Sequence, residues 1–185
     1  FLRDYKFTGD VDGYREGDLY YPYSPILTVR GTFAECVILE TVILSILNYD
    51  SAVASAASRM VSAADGKPII EMGSRRTHEQ SAVTAARATY IAGFDATSNM
   101  EASLRYGIPA SGTAAHSWTL LHVDDSGKPD ERAAFRAQIE AAGVDTTLLV
   151  DTFDITKGVE NALEVAGTEL GAVRIDSGDL GIMSR

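Results

Sequence analysis

Sulfur chemistry is almost absent from this chain. Its single cysteine among 185 residues, Cys36, excludes an intrachain disulfide and any Cys-rich metal cluster. Lying inside an apolar helical run, Cys36 is expected to be a buried structural thiol. The three histidines are His78, His116 and His122, and no set of His, Cys and carboxylate residues has the spacing of a zinc site. Positive charge is also scarce, with 16 Lys and Arg against 26 Asp and Glu and a net charge of −10. That deficit argues against nucleic acid or an anionic membrane as a general partner, because both demand a broad basic surface. It leaves room for a phosphate ligand, whose site is local and built from a few arginines and backbone amides. There is no Gly-x-Gly-x-x-Gly fingerprint, no short internal repeat and no low-complexity segment. Ser117 lacks the Gly-x-Ser-x-Gly setting of a hydrolase nucleophile. Glu40 and Asn48 interrupt the longest apolar run, so it reads as too short and too polar to span a membrane. No signal peptide is recognisable, and a cytoplasmic location is expected.

What is present describes a folded domain, with 45% hydrophobic residues and mixed charges. Residues 1–32 are rich in Tyr, Gly, Asp and Pro, which punctuate short β-prone runs at Leu19–Tyr21 and Ile26–Val29. They read as the remnant of a β-rich domain. From Phe33 the pattern is helical: Val37, Leu39, Val42, Ile43, Leu44, Ile46 and Leu47 predict a largely buried helix. A break at Asn48–Ser51 and a second helix over Ala52–Ala63, capped by Asp50 or Ser51, are expected to follow. Beyond Gly66 strands and helices alternate. Strands are predicted at Pro68–Met72, around Phe94, and at Ile108–Ala110, Thr147–Val150 and Ala172–Ile175. Helices are predicted at Glu79–Ile91, Ser98–Arg105, from about Thr113, at Glu131–Ala142 with Asp130 as cap, and at Lys157–Ala166. Val159, Ala162, Leu163 and Ala166 are placed on the apolar face of the last of these. Strict alternation points to a parallel sheet and favours an α/β barrel over residues 33–185, although five strands do not close one.

In such a barrel ligands bind beyond the C-terminal ends of the strands, and each predicted strand is followed there by polar residues. Arg75, Arg76 and His78 follow the first, and Thr97, Ser98 and Asn99 the second. Ser111, Thr113 and His116 follow the third, Asp151 and Asp154 the fourth, and Asp176, Ser177 and Asp179 the fifth. An arginine pair beside Gly73 suits a carboxylate or a phosphate, since guanidinium offers a planar fork of donors. An ion pair with Glu71 or Asp95 accounts for it equally well. Carboxylates just past an apolar strand bind ribose hydroxyls or hydrated Mg²⁺, or else cap the next helix. In Gly107–His116, Gly-Ile-Pro-Ala-Ser-Gly-Thr-Ala-Ala-His, Gly112 and Thr113 are expected to bring backbone amides to an anion at a helix start. His116 is expected one turn deeper, as a charge carrier or as a cap or packing residue. His78 and His122 read as structural or solvent-facing.

Five stretches in order, 71–78 (EMGSRRTH), 93–99 (GFDATSN), 107–118 (GIPASGTAAHSW), 149–154 (LVDTFD) and 173–180 (VRIDSGDL), resemble nicotinate phosphoribosyltransferases of NAD salvage. The segments FTGDV and EGDLYYP near the N-terminus match that family too. The resemblance implies a type II phosphoribosyltransferase-like fold, here a partial irregular α/β barrel with part of a β-rich N-terminal domain. It implies formation of nicotinate mononucleotide and pyrophosphate from nicotinate and 5-phosphoribosyl 1-pyrophosphate, with ATP hydrolysis coupled through a phosphohistidine at His116. Arg75 and Ser98 are then expected at nicotinate. Thr113, Asp151, Arg174, Asp176, Ser177 and Gly178 are expected around the phosphoribosyl group, with Asp176 toward Mg²⁺. The resemblance also implies a homodimer as the full-length protein, while the charge and the interrupted apolar run leave no nucleic-acid or membrane partner expected. Against the family the chain reads as an internal fragment, expected to be inactive and poorly folded alone. The rival readings are a nicotinamide or quinolinate phosphoribosyltransferase and a non-catalytic nucleotide-binding relative. All of these place Arg75, His116, Asp151 and Asp176 on one rim of strand ends.

Overall fold

The computed structural model describes residues 2–184 and divides into two compact units, the first ending at Gly112 and the second beginning at Thr113. This division lies inside the Gly107–His116 stretch, well past the change of composition near residue 32.

In the first unit, β1 (Asp10–Gly13) and β2 (Leu27–Arg30) form an antiparallel pair, with Asp10 opposite Arg30 and Gly13 opposite Leu27. The following helix, α1 (Phe33–Ala64), starts at a capping box: the Thr32 hydroxyl accepts from the Glu35 amide while the Glu35 carboxylate receives the Thr32 amide. Two further donors from Thr8, its amide at 3.0 Å and its hydroxyl at 2.8 Å, reach the same carboxylate and tie the N-terminal segment to the helix. The helix runs unbroken for 32 residues, which corrects the expected stop at Asn48–Ser51. Asn48, Asp50 and Ser51 are mild helix formers and none is Gly or Pro, so a helix packed on one side absorbs them. Its burial also differs from expectation. Only Glu35 and Ala57 are buried, while Val37, Val42, Leu44 and Ile46 lie about half exposed. Cys36 is half-buried rather than buried, with Val29 as its backbone neighbour. By length and composition α1 qualifies as a membrane span, with a mean hydropathy of 1.5 in its most apolar window. This corrects the expectation drawn from Glu40 and Asn48.

The C-terminal half of α1 packs on α2 (Glu79–Ile91), where the Tyr49 hydroxyl donates to the Ser81 carbonyl at 3.2 Å. β3 (Ile70–Glu71) and β4 (Ala96–Thr97) pair in parallel, with Glu71 opposite Thr97, and a bridge from Thr97 to Ala110 adds a third extended segment. Helix α3 (Met100–Tyr106) follows, capped by the Asn99 side chain on the Ala102 amide. Val83, Ala86, Ala102 and Ile108 form the small core between helices and strands.

The second unit holds α4 (His116–Leu121), α5 (Glu131–Ala142), β5 (Thr147–Leu149), α6 (Ile155–Ala166), β6 (Ala172–Arg174) and α7 (Leu180–Met183). β5 and β6 are parallel, with Leu149 opposite Arg174. Phe135 of α5, Leu148, Val150 and Ala162 of α6 make a fully buried core, against which Ile155, Val159 and Ile175 pack. The buried face of α6 runs through Gly158, Asn161 and Ala162. Leu163, expected on that face, is 51% exposed, because the face is set a third of a turn away. Gly158 makes this packing possible: a Cβ there would stand 2.2 Å from the Val150 carbonyl oxygen. Strands are thus found near all five predicted positions, shortened to two or three residues or, at Ala110, to a single bridge.

Candidate active site

Strand alternation places the reactive groups of the second unit. Leu148 and Val150 face the helices in the core, so Leu149 and Asp151 face the other way. Directly after β6, Ile175 faces the helices, which turns Arg174 and Asp176 toward the side occupied by Asp151. The parallel register then brings the residues two beyond Leu149 and Arg174 alongside each other, and the Asp176 amide donates to Asp151 Oδ2 at 2.8 Å.

Asp151 is the centre of this arrangement. Its side chain is 0% exposed, and both oxygens are engaged. Oδ1 meets His116 Nε2 at 3.1 Å, while Oδ2 also accepts the Ser177 hydroxyl at 2.6 Å. Burial alone would raise the Asp151 carboxyl. The hydrogen bonds from Ser177, the Asp176 amide and His116, with the attraction of the imidazole, outweigh it and hold the group below the ordinary carboxylate range. It is therefore an anion at neutral pH, aimed at an imidazole that stays 40% exposed.

His116 itself is the first residue of α4, with Ala115 as its cap position. This corrects the expected helix start near Thr113 and the placement of His116 one turn deeper. Gly112 and Thr113 lie in the irregular stretch before the helix instead, and Ala115 keeps a β conformation and offers no side-chain cap. The Thr113 hydroxyl accepts from Arg174 Nη1 at 2.5 Å, and Arg174 Nη2 donates to Asp176 Oδ1 at 2.8 Å. One guanidinium thus joins the approach to His116 with the loop after β6. Gly178 turns that loop with φ of 78°, a left-handed conformation that a side chain would strain. Trp118 anchors α4 by donating its indole N–H to the Ala134 carbonyl at 3.0 Å, and its ring tilts against His122 at a centroid distance of 4.8 Å. Asp154 and Asp179, also possible ligands by position, cap α6 and α7.

In the first unit, Arg75 and Arg76 stand exposed on the turn after β3. Neither pairs with Glu71 or Asp95. Glu71 spends its carboxylate on the Gly73 amide and the Thr97 hydroxyl, and Asp95 accepts the Ile69 amide. Ser98 follows β4 and donates its amide to the Glu71 carbonyl at 2.8 Å. His78 lies exposed at the cap position of α2 without capping it. Of the four residues expected on one rim, His116, Asp151 and Asp176 converge within the second unit, and Arg75 belongs to the first. Sequence reasoning did not find the role of Glu71. Its signal was a carboxylate ending an apolar strand, directly before the glycine of the arginine turn.

These parallel strand ends gather a carboxylate-held histidine, a guanidinium and a Ser-Gly turn, and the fold that carries them, part of an irregular α/β barrel, is by its likeness to solved structures that of the type II phosphoribosyltransferases. The chain aligns with human nicotinic acid phosphoribosyltransferase at a TM-score of 0.80 and 30% identity, over 97% of this chain and 46% of that one. It aligns with nicotinate-nucleotide pyrophosphorylase from Pyrococcus furiosus at a TM-score of 0.84 and 31% identity, over 93% and 43%. A sequence profile of the nicotinate phosphoribosyltransferase (NAPRTase) family matches residues 68–181, and the chain belongs to that family. It is 65% identical to nicotinate phosphoribosyltransferase pncB1 of Mycobacterium tuberculosis over its whole length, which spans 42% of that protein.

Proposed function

We propose that this chain is the catalytic portion of an ATP-coupled nicotinate phosphoribosyltransferase. In the reaction the pyridine nitrogen of nicotinate bonds to C1 of 5-phosphoribosyl 1-pyrophosphate as the C1–O bond to pyrophosphate breaks. The products are nicotinate mononucleotide and pyrophosphate. Positive charge develops on the ribose at that moment, so positioning and electrostatics carry most of the work.

The observation that carries the proposal is the buried Asp151 carboxylate holding His116 by Nε2. With Nε2–H donated to Asp151, the lone pair of Nδ1 is free to attack the γ-phosphorus of ATP, and the bond to the ADP oxygen breaks. The phosphoryl group adds up to two negative charges beside Thr113 and Arg174. Water then attacks phosphorus and returns the imidazole.

In the second unit, Arg174, Thr113 and the Ser177–Gly178 turn hold the phosphorylated sugar, the guanidinium and the Thr113 hydroxyl supplying donors suited to phosphate oxygens while the Ser177 hydroxyl stays on Asp151. The donor set fits Mg²⁺ only in part. Asp151 has no free oxygen, whereas Asp176 commits Oδ1 to Arg174 and keeps a second oxygen. Among the described residues no group of three His, Cys, Asp or Glu side chains could hold a metal ion. This suits a cation carried mainly by the substrate's phosphates, which Asp176 would hold through one oxygen. A Mg²⁺ held there would supply charge neutralisation to the leaving pyrophosphate. In the first unit Arg75, which makes no ion pair among the described residues, receives the nicotinate carboxylate, with Ser98 as a neighbouring donor. A guanidinium at this point favours an acidic pyridine, nicotinate over nicotinamide. We place the full-length enzyme in the cytoplasm as a homodimer.

The test is to incubate the full-length protein with γ-labelled ATP and Mg²⁺. Acid-labile label is expected on the wild type and none on His116→Ala. Label retained by His116→Ala, or a wild type that takes up none, rejects the phosphohistidine. Competing nicotinate against nicotinamide for pyrophosphate release tests the substrate.

A further inference from the structure

We propose that Glu71 is a positioning residue that fixes the two loops presenting Arg75 and Ser98, and thereby sets the enzyme's affinity for the carboxylate of its pyridine substrate. The inference rests on the reading of Arg75 given above. Glu71 ends β3 directly opposite Thr97 of β4, and both side chains are buried. One carboxylate oxygen accepts the Thr97 hydroxyl at 2.6 Å, and the other accepts the Gly73 amide, two residues before Arg75. Thr97 Oγ1 accepts in turn from the Asn99 amide at 3.0 Å. The Asn99 side-chain amide donates to the Ser74 hydroxyl at 3.0 Å, beside Arg75. A closed ring therefore runs from Glu71 through Gly73 and Ser74 to Asn99 and Thr97, and back to Glu71. The Glu71 carbonyl adds a second tie, to the Ser98 amide.

A buried carboxylate next to an arginine turn would ordinarily be read as the arginine's ion-pair partner. Here both oxygens are already engaged, and each holds a different loop. The negative charge is spent on neutral donors, which leaves the Arg75 fork open for an exogenous carboxylate while its backbone is held in place. A carboxylate presents two acceptors in one plane, whereas a carboxamide presents one acceptor and one donor. Glutamine at this position can accept the Gly73 amide only by turning its N–H toward Thr97, whose own O–H then loses its acceptor, and the arginine turn loosens. Carboxylate recognition is the same before and during the chemical step, so the loss should fall on KM rather than on kcat.

The experiment is steady-state kinetics on the full-length enzyme with Glu71→Gln, Thr97→Val, the double variant and Arg75→Ala. Glu71→Gln is expected to raise KM for nicotinate about tenfold, the cost of one buried hydrogen bond, while kcat and KM for 5-phosphoribosyl 1-pyrophosphate change less than about twofold. Thr97→Val should act in the same direction, and the double variant should be no worse than the worse single one. A KM for nicotinate that stays at the wild-type value in both single variants overturns the proposal. So does a parallel loss of kcat, both KM values and Tm, which would make Glu71 merely structural. Should Glu71→Gln fail to fold, Thr97→Val alone decides. Arg75→Ala separates the two levels: no change in nicotinate KM there rejects the carboxylate assignment itself. A large change there with none in Glu71→Gln and Thr97→Val rejects only the role of Glu71.

Discussion

Asp151 and His116 are thirty-five residues apart, and the consequences of their contact can be measured one atom at a time. Asp151→Asn keeps the shape of the side chain but presents an amide that cannot both receive the His116 N–H and satisfy its other donors. The imidazole loses its enforced tautomer, and histidine labelling from ATP is expected to slow by about 100-fold or more. Label accumulating at the wild-type rate in Asp151→Asn would show that the contact orients nothing. The folded-state carboxyl is held low, so its stabilising contribution is complete above the ordinary carboxylate range and disappears as the pH falls below it. Arg75→Lys replaces a planar fork with a point charge, and nicotinate KM should rise while ATP labelling stays intact. None of these contacts follows a local period, so sequence could nominate the residues but not join them. Asp154, Asp179 and Asp151 all read alike as carboxylates past a strand. Which of them cap helices depends on one or two residues of phase.

Helices and strands were legible where their pattern was strong and their ends were marked. Asp130 caps α5 and Gly143 ends it, as its sequence signals require. α1 runs past the expected stop because Asn48, Asp50 and Ser51 are only mild helix formers, and none of them is the Gly or Pro that breaks a helix. Its true boundary is chemical. The Glu35 carboxylate, which receives the amides and hydroxyls of Thr32 and Thr8, is lowered from 4.5 to about 2. Stability from this cap is therefore complete above about pH 4.5 and lost as the pH falls toward 2, and Glu35→Gln should flatten acid unfolding across that window. Thr32→Ala should cost roughly 1 kcal/mol in chemical denaturation. At Gly158 the limit is steric: Gly158→Ala would push α6 off the end of β5, just before Asp151. A loss of about 1–3 kcal/mol is expected, together with weaker histidine labelling. Equal stability and labelling in that variant would mean the contact yields freely.

For the molecule as a whole, alternating strands and helices announced a parallel α/β architecture, and the strand positions came within a few residues. Exposure could not be read the same way. An apolar pattern says that a face needs cover but not what supplies it, and α1 is the case in point. Its half-exposed face carries Val37, Val42, Leu44 and Ile46, and we propose that lipid is not what covers them in the full-length enzyme. An alkaline carbonate wash of cell membranes should leave the full-length protein in the supernatant, whereas retention in the pellet would favour a bilayer.

The anchoring of α4 has an optical consequence. Trp118 is this chain's one indole, two positions from His116, with its N–H bound to α5 and its face against an imidazole. Its fluorescence is a native gauge of the helix that begins at His116, the residue proposed to accept the phosphoryl group. A shift in emission on adding ATP would report loading of that helix in real time, without any dye.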